Sequence, residues 1–86
     1  MQLTSKHQRI LEDIFHDPIK ASIQWIDIES MLKTLGANLS QGNGSRVRIE
    51  LNGIRATFHR PHPRKDTDKG AVKSMRRFLI TAGVLP

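Results

Sequence analysis

On either side of Asn52-Gly53 the chain alternates apolar and polar residues, and that alternation constrains its fold more than anything else in the sequence. Val47, Ile49 and Leu51 alternate with Arg46, Arg48 and Glu50, and Ile54, Ala56 and Phe58 alternate with Arg55, Thr57 and His59. Period two gives each strand one apolar and one polar face. Asn-Gly between such runs favours a two-residue type I′ turn. A turn of that length fixes the register: Leu51 faces Ile54, Glu50 faces Arg55, Arg48 faces Thr57 and Arg46 faces His59. A slip of one residue would turn every apolar side chain to solvent. The predicted hairpin therefore buries Val47, Ile49, Ile54 and Phe58 under Met31, Leu32, Phe78 and Leu79. It exposes Arg46, Arg48, Arg55 and His59, with Glu50 the only acid among them. For any one of these residues a solvated strand face is the ordinary outcome; the shared basic sign points to an anionic partner.

The remaining elements read outward from the hairpin. Residues 5–16 carry an apolar stripe of Ile10, Leu11, Ile14 and Phe15, with Thr4 or Ser5 as N-cap, and Asp17-Pro18 ends the helix. Residues 18–23 connect to a second helix, Trp25 to Leu35, whose face is Trp25, Ile28, Met31, Leu32 and Leu35 and whose C′ residue is Gly36. At this spacing Trp25 belongs to the core rather than to a base-stacking surface. Ala37 to Gln41 is a short, weak strand, turned back by Gly42, Asn43 and Gly44; these glycines read as a plain turn, not a phosphate loop. After the hairpin, Arg60-Pro61-His62-Pro63-Arg64-Lys65 excludes regular structure and holds His62 on a stiff loop. Asp66, Thr67 and Asp68 offer N-caps for a last helix, Lys69–Ala82, with Gly83 beyond it. Its apolar face is Val72, Met75, Phe78, Leu79 and Ala82, and Lys73, Arg76 and Arg77 form a basic flank. The order α, α, β, β, β, α implies an α+β fold with helices on one face of a three-stranded antiparallel sheet.

Eighty-six residues, 37% of them apolar, make one small domain with a modest core. The net charge of +6 is unevenly placed. Residues 1–45 hold four Lys and Arg against five acids, whereas residues 46–86 hold ten against Glu50, Asp66 and Asp68. That asymmetry is the footprint of a nucleic-acid binder, or equally of a surface for an acidic protein. There is no cysteine, no apolar run long enough for a membrane and no signal-peptide core, so a cytoplasmic location and no membrane partner are expected.

From about Ile26 to Val84 the sequence resembles the HicA family of toxins from toxin–antitoxin systems. The carrying residues are the helix ending Leu35-Gly36, the short strand, Gly44-Ser45 and the hairpin with Asn52-Gly53. They continue through Pro61-His62-Pro63 with Lys65 to Lys69-Gly70, which opens a helix ending Ala82-Gly83. Residues 1–25 look like an added helix and connector, and residues 26–86 like the family domain. The resemblance implies a fold similar to the double-stranded-RNA-binding domain, α-β-β-β-α. It implies a metal-independent endoribonuclease acting on mRNA, inhibited by a HicB-type antitoxin over the open sheet face, with operator DNA bound only through that complex. The family pattern places its catalytic histidine directly after Gly-Ser, and in this sequence Arg46 stands there.

Metal-free RNA cleavage needs a base for the 2′-OH, an acid for the leaving 5′-oxygen, and cations for the phosphorane. Histidine suits both transfers, with an ordinary pKa near 6.5. The register sets His59 across from Arg46, within about 5.5 Å between Cα atoms, so it occupies nearly the patch where the family histidine would lie. His62 follows on the loop. These two are the candidate catalytic residues. Arg46, Arg48, Arg55, Arg60, Arg64, Lys65, Lys69, Lys73 and Arg76 are the candidate phosphate-binding residues. No cofactor is expected, and two histidines without cysteine or a facing acid do not make a metal site. His7 and His16 receive no role. Three readings stay open: a HicA-like ribonuclease toxin, a non-catalytic RNA-binding module of the same fold acting with its antitoxin, and a component of a DNA-binding autoregulatory complex. Arg46 favours the second, and His59 and His62 favour the first.

Overall fold

Each expected element forms, in the expected order. The computed structural model, which describes residues 3–62 and 64–86, runs α1 (Ser5–Ile14), α2 (Trp25–Thr34), β1 (Asn38–Gln41), β2 (Arg46–Leu51), β3 (Ile54–His59) and α3 (Lys69–Thr81). The strands lie in the order β1-β2-β3, antiparallel throughout. Thr4 Oγ1 accepts the His7 amide at 3.1 Å and so caps α1; Asp68 Oδ1 caps α3 through the Ala71 amide at 2.8 Å. At the end of α3, Gly83 has φ +81°, a conformation that favours a residue without Cβ. Its amide donates to Ile80 O and that of Val84 to Leu79 O, a Schellman closure. Gly36 closes α2 with the same pair of bonds. The expectation for the loop that falls on Pro63 lies outside the described residues.

The hairpin has the register that its two-residue turn dictates, from Leu51 opposite Ile54 to Arg46 opposite His59. Asn52 and Gly53 both have positive φ, 52° and 81°, as type I′ requires. The Asn52 side chain also donates to Ala82 O at 2.8 Å, pinning the turn to the end of α3. Val47, Ile49, Leu51 and Phe58 are buried with Ile28, Met31, Leu32, Val72, Met75 and Leu79 in one cluster, which Ile10, Leu11 and Ile14 of α1 also join. Trp25 is in the core: its ring centroid lies 5.8 Å from that of Phe58, which meets Phe78 edge-on at 6.1 Å. Ile54 departs from expectation and is only half-buried. It sits on an edge strand beside the turn, where α3 covers the apolar face incompletely.

Two long-range attachments have no counterpart in the periodicities. Residues 23–25 pair with residues 65–67: Thr67 N donates to Ile23 O at 2.7 Å, Trp25 N donates to Lys65 O at 3.0 Å, and Gln24 bridges Asp66. The basic loop is thereby strapped to the start of α2, and Thr67 is buried. In addition, Arg76 reaches from α3 to the end of α1. Its Nε donates to Ile14 O at 2.9 Å and an Nη to His16 O at 2.7 Å, with the guanidinium 5.9 Å from the Phe15 ring centroid. It satisfies carbonyls that the end of a helix leaves free. None of the described helices is long and apolar enough to cross a membrane.

Replacing Arg76 by alanine should lower the unfolding free energy in urea by about 1–3 kcal/mol, the worth of charge-assisted bonds to carbonyls left unpaired. Hydrogen exchange should accelerate across α1 while β2 and β3 keep their protection. Unchanged exchange in α1 would show that the Arg76 contact contributes nothing.

Candidate functional site

The sheet has one open face, and the side chains on it form three rows. Arg46 and His59 make the first, with Gly42 beside Arg46; Ser40, Arg48 and Thr57 make the second; Asn38, Glu50 and Arg55 make the third. Successive rows are two residues apart, roughly 7 Å along the strand. The second and third rows border a shallow depression of about 570 Å³. Arg46, Arg48, Arg55 and His59 are all exposed, as their parity requires. Glu50 lies 3.6 Å from Arg55, but no acidic partner stands within reach of Arg46 or Arg48 among the described residues.

Arg46 and His59 form a pair of the closely approached kind. The next position outward, Ser45 and Arg60, is hydrogen-bonded, with Arg60 N donating to Ser45 O at 2.8 Å. Pairs alternate along an antiparallel ladder, so Arg46–His59 is a non-hydrogen-bonded pair, in which side chains stand closest. Ser45 Oγ lies 3.5 Å from His59 Nδ1, at the outer limit of a hydrogen bond. Ser45 was missed as a site residue because it precedes the strand, before the alternation begins.

Beyond β3, Arg60 is engaged within the fold. Its Nε donates to Glu29 Oε2 at 2.7 Å, an Nη to Glu29 Oε1 at 3.4 Å, and the other Nη to Gln41 Oε1. The hydrogen bond to Glu29 raises the proton affinity of this guanidinium above the usual arginine value, with burial opposing. Glu29 also accepts the indole N–H of Trp25. Gln41 in turn donates to Gly44 O at 2.8 Å and Gly42 O at 3.1 Å. Trp25, Glu29, Arg60 and Gln41 thus fasten α2, the exit of β3 and the turn before β2 together, and Ser45 sits at the end of that turn. No sequence signal linked Glu29 to Arg60, which stands 31 residues away.

The other predicted residues divide between two places. His62, Arg64 and Lys65 are exposed on the loop after β3. Arg64 and Lys65 line a cleft of about 310 Å³ with Gln24, Trp25, Ile26, Arg60 and Pro61. Lys69, Lys73 and Arg76 belong to α3, on the helical layer, and do not share the open sheet face. Lys73 is exposed there, whereas Arg76 is committed to α1.

Comparison with protein families matches residues 25–84 to the family described as HicA toxin of bacterial toxin-antitoxin. No significant match was found to a characterised protein or to a solved structure. The match takes in α2, the whole sheet, the basic loop and α3, and leaves out α1. It covers well over half of the chain and every element that builds the open face and the cleft, which makes this protein a member of the HicA family, the toxin side of bacterial toxin–antitoxin systems.

Proposed function

We propose that this toxin is a metal-independent endoribonuclease of mRNA, with His59 and His62 as proton carriers at the rim of the open sheet face. The observation that carries the reading is the pairing of His59 with Arg46 on an exposed, basic sheet surface. The family histidine belongs at the Arg46 position, and His59 is its immediate cross-strand neighbour. One histidine takes the 2′-OH proton as that oxygen attacks phosphorus. The other gives a proton to the departing 5′-oxygen, so the strand breaks into a 2′,3′-cyclic phosphate and a 5′-hydroxyl. Arg46, which stays protonated, stabilises the charge on the phosphorane, and Arg48 and Arg55 hold the flanking backbone. Ser45, whose Oγ lies 3.5 Å from His59 Nδ1, would help orient the ring if the two draw closer on binding RNA. A non-catalytic RNA-binding module is the second reading, and the arginine at the family's histidine position favours it.

Growth arrest on induction in a bacterium, together with cleavage of purified RNA, tests the proposal. His62→Ala should abolish both while leaving the fold intact, because His62 is exposed and makes no packing contact that the fold needs. His59→Ala should lower cleavage by about 10²–10⁴, the usual worth of a positioned acid or base. Arg46→Ala should also lower it, and excess chelator should not. Higher activity in Arg46→His would mark this chain as a weakened member of its family. Full toxicity in both histidine variants would overturn the catalytic assignment.

The cognate inhibitor in this reading is a HicB-type antitoxin, acting in the cytoplasm, that covers the open face and offers acids to Arg46, Arg48, Arg55 and Arg64. Like-signed patches select their complement and set association rates. The double variant Arg46→Glu, Arg48→Glu should slow binding of the antitoxin and weaken its dependence on salt. A complex in which the sheet face stays open would exclude this arrangement. Operator DNA is contacted only through the complex, the antitoxin supplying the DNA-reading element.

A further inference from the structure

We infer that the cleft between the first turn of α2 and the loop after β3 is a subsite for one nucleotide of single-stranded RNA, seating its base against Ile26 and Pro61. The inference rests on the ribonuclease reading and adds to it the site at which a base flanking the scissile bond is held. Ile26 is 70% exposed, although Trp25 and Ile28 on either side are buried. It lines the cleft together with Pro61 and Trp25. Arg64 and Lys65 also line it, and neither has an acidic partner within reach among the described residues. Arg60, already paired with Glu29, acts as a wall rather than a phosphate ligand.

An apolar slot rimmed by cations fits a ligand with a flat apolar face and an attached negative charge, which describes a nucleotide. Single-stranded RNA is read in this way, by bases laid on apolar surfaces while the backbone follows positive charge. The exposed Gln24 amide supplies a donor and an acceptor for a base edge. Several lining residues are held in advance: Trp25 N donates to Lys65 O at 3.0 Å, Gln24 bridges Asp66, and Arg60 is clamped by Glu29. Little ordering therefore remains to be done on binding. At about 310 Å³ the cleft has the size of a small-ligand site, whereas a protein partner needs a far wider surface. His62 lies in the chain between Pro61 and Arg64, both of which line the cleft. In this proposal a base in the slot would bring its phosphate toward the loop that carries His62.

Trp25 is the only tryptophan in the chain, so its fluorescence reports on the cleft. The full-length toxin is titrated with four single-stranded RNA tetranucleotides, each of one base and made uncleavable by 2′-fluoro substitution, and with an acidic peptide. Wild type should show saturable quenching by RNA-type ligands, with affinity depending on the base. Ile26→Glu should raise the dissociation constant about tenfold or more, as expected if one base contact is lost. Because Ile26 is exposed, the variant should melt with wild type. Arg64→Ala serves as an independent variant and should weaken every tetranucleotide alike. Equal quenching in wild type and Ile26→Glu, or quenching by the acidic peptide alone, would overturn the subsite. Cleavage of long RNA is measured in parallel. Cleavage with no base-dependent quenching sinks the subsite and leaves the ribonuclease reading, while quenching with no cleavage does the reverse.

Discussion

Phe58 is held between Trp25 of α2 and Phe78 of α3, and that wedge decides which way the rest of β3 points. Burying a side chain of this size contributes roughly 1.5–3 kcal/mol, and each aromatic contact adds about 0.5–1.5 kcal/mol. With Phe58 inward, strict alternation sends His59 and Thr57 outward. The two-residue turn then carries the same decision across to β2, where Val47 opposite Phe58 goes inward and Arg46 opposite His59 goes outward. The exposed basic face is thus the necessary other side of the core. A one-residue slip would bring Arg46, Arg48 and His59 against Met31 and Leu32, and burying those charges without partners would cost far more than any surface gain.

The strands and helices were legible because each is written in a local code: period two around Asn-Gly, period 3.6 between a capping Thr or Asp and a C′ glycine. The register of Arg46 and His59 was legible for the same reason, since it follows from turn length alone. What could not be read is pairing between side chains with no periodic relation. Arg60 and Arg76 look in sequence like two more members of a basic set. In the fold one is the counterion of Glu29 and the other closes the end of α1, 60 residues earlier in the chain. The ladder between residues 23–25 and 65–67 is likewise invisible, because neither segment has strand-like alternation. Ser45 received no role in sequence because the alternation begins only at Arg46.

These commitments change the electrostatic reading of the chain. Ten cations after residue 45 suggest one broad anion-binding surface. The fold distributes them instead among the open sheet face, the cleft beside α2 and the outer side of α3, and withdraws Arg60 and Arg76 into structural duty. An anionic partner on the sheet therefore meets Arg46, Arg48 and Arg55, of which Arg55 is already half-answered by Glu50. With so few free cations, the position of each carries more weight than the net charge. Arginine at position 46 gives this row a fixed positive charge, since a guanidinium does not lose its proton near neutral pH.

The helix that lies outside the family match has a physical reason to be present. A domain of some 60 residues buries a smaller share of its surface than a larger one and is marginally stable. Here the deficit is greater, because one whole face of the sheet is left open. No additional layer can be placed on that face without covering Arg46 and His59. α1 adds its apolar stripe on the other side instead: Ile10, Leu11 and Ile14 enter the same cluster as Met31, Leu32 and Met75. Arg76, His7 beside Ser30, and the Lys6–Asp27 pair fix its placement on α2 and α3. The core grows from the helical side, and Arg46, Arg48, Arg55 and His59 stay exposed on the sheet.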